Sequence, residues 1–122
     1  MALKIGSLRC QSFTYDFTLD GGAISSIPMG IFIPAGAVIT NCFIQGIVTG
    51  AGVGATYSIG IIGNTALITS LQVMTIIAAG AVVTTGFAPV LMPASASIIQ
   101  FTIAANPFTA GKCNVMLYYT EY

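Results

Sequence analysis

Residues Ser12 to Gly22 read "SFTYDFTLDGG". Phe13, Tyr15, Phe17 and Leu19 alternate with Thr14, Asp16 and Thr18, the period of two that a strand with one buried and one wet face imposes. Asp20-Gly21-Gly22 then supplies a turn. The stretch predicts a half-buried strand over residues 12–19, and the rest of the chain can be read outward from it.

The same alternation recurs. In "ISSIPMGIFIP" (residues 24–34), Ile27, Met29, Ile31 and Ile33 share one side while Pro28 and Gly30 lie on the other, which suits an edge or bulged strand. "AVITNCFIQGIVT" (37–49) is β-branched and apolar on both faces, as in a strand buried on both sides or set at an oligomer contact. A "GAGVGA" loop follows, and Tyr57, Ile59 and Ile61 alternate again. "GNTALITSLQVM" (63–74) is the one helix candidate. Asn64 could cap it, and Leu67, Leu71 and Met74 keep helical spacing, although Ile68 and Val73 fit a strand as well. "TIIAAGAVVTT" (75–85) reads as strand, turn, strand, and "GFAPVLMPASA" (86–96) as a crossing with two prolines. "SIIQFTIAA" (97–105) and a last strand with Cys113, Val115, Leu117 and Tyr119 on one face complete the chain. About eight short strands with hardly any helix predict an all-β, single-domain antiparallel sandwich or barrel over residues 12–122, the sandwich form being jelly-roll-like. Residues 1–11 precede it as an N-terminal arm.

"IPAGAVIT" (33–40) returns as "IAAGAVVT" (77–84), and more loosely as "FTAGKCNV" (108–115). The spacings differ and the intervening sequences do not match, so this is no solenoid. Each Ala-Gly sits where one strand gives way to the next, and the echo is one turn chemistry reused.

Composition narrows function. Charged residues make up 5% of the 122 residues, against about 25% in ordinary domains. Lys4, Arg9, Asp16 and Asp20 lie near one end, Lys112 and Glu121 near the other, and net charge is zero. Such a surface does little to oppose association. Three scattered cations cannot neutralise a row of phosphates, which sets nucleic acid aside. Mean hydropathy is +0.95, but the longest apolar region, residues 73–96, is broken by Gly80, Gly86, Pro89 and Pro93 and does not suit a spanning helix. "MALKIGSLRCQSF" lacks the apolar core of a signal peptide, so the expectation is a cytoplasmically made protein without a membrane partner.

Catalytic inventory is thin. There is no histidine, hence no Ser-His-Asp or Cys-His machinery. Asp16 and Asp20 on one strand would stand roughly 13 Å apart, too far for a glycosidase pair. "GAGVG" lacks the Lys-Ser/Thr ending of a phosphate loop. Cys10, Cys42 and Cys113 include no CxxC and are read as small buried hydrophobes. No enzyme activity, cofactor or metal is expected. Tyr118 and Tyr119 must face opposite ways on the last strand, so at least one points outward. With Tyr122 they are candidate interface anchors, as are Lys4 and Arg9 in the arm.

The segments "FTYDFTLDGGAISSIPMGIFIPAGAVIT" and "FTIAANPFTAGKCNVMLYY" resemble capsid decoration (cement) proteins and related small head proteins of tailed bacteriophages. In those an aromatic-alternating strand, an Asp-Gly-Gly turn and an "IPA-x-AV" turn open a β-sandwich that a "TIA…LTAGK" hairpin closes. The resemblance implies homotrimers on the outside of a phage head that bridge major capsid protein subunits, a structural role in the virion. A fibre-head or carbohydrate-binding sandwich is the alternative, weakened by the absence of Trp.

Overall fold

The computed structural model describes residues 7–74, 77–84, 87–93 and 96–121. Among these, β1 (Ser7–Asp16), β3 (Val38–Ala51), β6 (Val82–Val83), β7 (Val90–Leu91) and β9 (Ala110–Glu121) form one sheet. β2 (Ser25–Ile33), β4 (Thr56–Ile61), β5 (Asn64–Val73) and β8 (Ser97–Ala104) form the other. All pairings are antiparallel. The first sheet runs β1-β9-β3-β6 with β7 also on β3, and the second runs β2-β8-β4-β5. Counted as one interrupted strand, β6 and β7 complete a jelly roll of eight strands in two facing sheets, as the strand spacing predicts.

The inward faces follow the alternation. Phe13 and Tyr15 of β1, Tyr57, Ile59 and Ile61 of β4, Ile99, Phe101 and Ile103 of β8, and Cys113 to Tyr119 at every second position of β9 are buried. At the centre Phe101 is stacked between two tyrosines, 4.5 Å from the Tyr15 ring and 5.3 Å from the Tyr57 ring, with Phe108 edge-on to Tyr15 at 5.5 Å. Because Tyr15 comes from one sheet and Tyr57 and Phe101 from the other, this stack ties the layers together. The Tyr15 hydroxyl donates to the Gly21 carbonyl at 2.7 Å. Gly36 and Gly80, the glycines of the repeated turn, both hold φ in the left-handed region, at 70° and 80°, which accounts for the echo.

Four expectations change. The first strand stops at Asp16: its carboxylate accepts from the Thr18 amide and hydroxyl at 2.9 and 2.7 Å, capping a single helical turn, α1 (Phe17–Asp20). Leu19 is consequently 83% exposed. Asp20 comes back onto the Asp16 amide at 2.9 Å, so the two residues share one turn and are not spaced along a strand. Residues 63–74 form β5, not a helix, because Asn64 to Val73 pairs with β4. Its register shifts between Tyr57 and Ile59 and again between Ile59 and Ile61. Within 75–85 the described strand is limited to Val82–Val83. Lastly, residues 7–11, expected in the arm, belong to β1, while residues 1–6 lie outside the described set.

Candidate interaction surfaces

The outward face of the β1-β9-β3 sheet is built by register. Tyr118 lies opposite Cys10 on β1 and Asn41 on β3, Met116 opposite Ser12 and Phe43, and Asn114 opposite Thr14 and Gln45. One end is apolar. Phe43 meets Tyr118 edge-on at 5.8 Å, and Leu8 and Leu91, each 66% exposed, flank them through their pairing with Thr120 and Val38. The middle is a polar ladder in which Thr14 donates to the Asn114 amide oxygen at 2.6 Å, and Asn114 donates on to Gln45 at 3.5 Å. At the far end Lys112 stands 3.7 Å from Asp16. Hydrogen bonds from Thr18, with Lys112 second, hold the Asp16 carboxyl below its ordinary value. The face thus grades from aromatic to charged along its strands.

The sequence candidates separate on this frame. Tyr118 points outward, half-buried against Phe43. Tyr119 points inward and is 3% exposed, which takes it into the core and off the surface of the single chain. Arg9 is exposed on β1 opposite Tyr119. Lys4 and Tyr122 lie outside the described residues. Sequence reasoning did not single out Phe43, Met116, Leu8 or Leu91. The available signal was the apolar character of β3 on both faces, which suits a strand with a contact on its outer side.

A second apolar feature lies at one end of the sandwich, a half-open groove of about 420 Å³ lined by Phe32, Ile61, Ile62, Pro93, Ser97 and Ile98. The cysteines divide as well. Cys10 is exposed, while burial pushes the Cys42 thiol up to about 11 and the Cys113 thiol up to about 12, leaving both inert near neutral pH. Among the described residues no group of three His, Cys, Asp or Glu could hold a metal, and no helix is long and apolar enough to cross a membrane.

No family model and no curated protein matches the chain. Its fold, however, is shared with chains of three phage capsids. The cyanophage Pam1 capsid asymmetric unit holds one with a TM-score of 0.71 and 16% identity, over 100% of this chain and 90% of that one. The capsid of Ralstonia phage GP4 holds another, at TM-score 0.67 and 18% identity over 100% and 89%. In the acidic stable capsid of Helicobacter pylori bacteriophage KHP30 the values are 0.66 and 9%, over 97% and 90%. The jelly roll described above is therefore the fold of these capsid chains from end to end.

Proposed function

We propose that this chain is a structural protein of a tailed-phage virion, a decoration protein made in the host cytoplasm that binds the outside of the head, contacts the major capsid protein and assembles as a homotrimer. The observation that carries the reading is the likeness to three capsid chains, none more than about a tenth longer than this one. Small size favours an added layer over a shell-forming role. A charge-poor surface with one flat, graded face supports it, since many weak copies on a lattice bind strongly together by multivalency. In this reading the apolar end around Tyr118 and Phe43 meets a neighbouring subunit, and Lys4, Arg9 and Tyr122 are further contact candidates.

The test is co-sedimentation with expanded heads that lack this protein, alongside light scattering on the free protein. Saturable binding to heads by a discrete trimer is expected. Protein that stays in the supernatant at every concentration, or binds detergent micelles and not heads, would overturn the reading.

A further inference from the structure

Among the described residues, the sheet edges differ in how they are protected. β6 and β7 have two residues each, and Thr69 of β5 bridges to Phe87 beside them, closing that side of the sandwich. β5 is twice shifted against β4, and β2 carries Pro28 with a register shift between it and Phe32. Proline, bulges and shortness are the devices that keep an edge from pairing further. β1 has none of them. Its ten residues hold unbroken register with β9, and the six between Arg9 and Asp16 are uncharged. On its other side the row of backbone N–H and C=O groups is hydrogen-bonded to no described strand. Only a second extended backbone complements such a row.

We infer that β1 pairs antiparallel with β1 of a second copy across a two-fold axis, joining two β1-β9-β3 sheets into one. A two-fold sets an edge against itself, so donors meet acceptors once the register is chosen. The other described edges are blunted and cannot supply the strand, and the zero net charge of the chain does not oppose self-association. With the axis at Ser12 the pairing spans Leu8 to Asp16, as long as any register that β1 allows. An axis there sets Leu8 of one copy against Asp16 of the other and Cys10 against Thr14, so the apolar end of each outward face lies beside the charged end of its partner and no like charges are opposed. The inference stands apart from head binding; in a trimer it is the contact through which neighbouring trimers meet.

Outward positions of β1 report the axis directly, because a residue on it faces its own copy within about 5 Å. Single cysteines at Leu8→Cys, Ser12→Cys and Thr14→Cys, each in a Cys10→Ser background, and Cys10 itself are oxidised or treated with a short bismaleimide in the full chain. Val53→Cys, in a loop and 96% exposed, measures random collision. Cross-linked dimer several-fold above Val53→Cys, peaking at one β1 position and falling two residues to either side, is expected. A flat profile no higher than Val53→Cys at every concentration where the protein stays soluble overturns the inference, whatever the heads bind.

Discussion

The two sheets treat their outward faces differently. In the β1-β9-β3 sheet, ten consecutive pairs run without a shift between β1 and β9, and the side chains of Asn114, Met116 and Tyr118 form an uncovered row. In the β2-β8-β4-β5 sheet the chain covers its own back. The shifted start of β5 lies over β4, where Ser58, 2% exposed, donates to the Thr65 carbonyl at 2.8 Å. A Cβ on Gly60 would stand 2.3 Å from the Asn64 carbonyl oxygen. An apolar strand can thus have two settings in one molecule: β4 is sealed by its own hairpin, whereas the outward Val38 and Phe43 of β3 lie on a face that no other described strand covers.

Mutations can break that comparison from the centre outward. Phe101→Ala, which empties the stack joining the two sheets, is expected to cost about 3–5 kcal/mol, read from urea unfolding. Gly60→Ala forces a methyl against backbone that cannot rotate away and is expected to cost about 1–3 kcal/mol. Met116→Ala, on the open face, should stay within about 1 kcal/mol; equal losses at the two sites would mean that the faces are not different. The tyrosines flanking Phe101 sharpen the contrast further. Tyr15→Phe removes the bond to Gly21 and should lose about 1 kcal/mol. The Tyr57 hydroxyl is buried without a protein partner, so Tyr57→Phe should be neutral or stabilising.

The smallest effect lies at the charged end of the open face. Because the folded carboxyl of Asp16 titrates below its ordinary value of 3.8, its contribution is complete above that value and fades as pH falls through the lower folded one. Asp16→Asn should remove this acid limb from urea midpoints measured between about pH 5 and pH 2. Exposure keeps the effect modest. An unchanged limb in the variant would assign the acid sensitivity to another group.

Much of this was legible in the sequence, where one face was apolar and the other wet. Cys113 to Tyr119 alternate in the structure as in the text, and Pro28 marks a bulged edge. Legibility failed where side chains bond to backbone nearby or where register slips. Asp16 turned the chain into α1 before Phe17 and Leu19 could continue the strand face. Leu67, Leu71 and Met74 keep helical intervals in the sequence, yet Asn64 to Val73 pairs with β4 as a strand. Parity along β9 required Tyr118 and Tyr119 to part, but only the placement of Cys113 in the core settles which one turns inward. The apolar outward face needed the β1-β9-β3 order, since Leu8, Phe43, Met116 and Leu91 are scattered over more than eighty residues and meet only through long-range pairing.

The partnership of β1 with β9 also sets a timetable. Strand β1 emerges from the ribosome early, and the strand that completes it follows about a hundred residues later. At about 5–20 residues per second, Phe13 and Tyr15 wait on the order of 5–20 s before their neighbour exists, while the hairpin of β4 and β5 can already close. Assembly of the open sheet therefore waits for β9. A nascent chain carrying that unpaired strand is the form of this protein most exposed to capture by a chaperone or to aggregation.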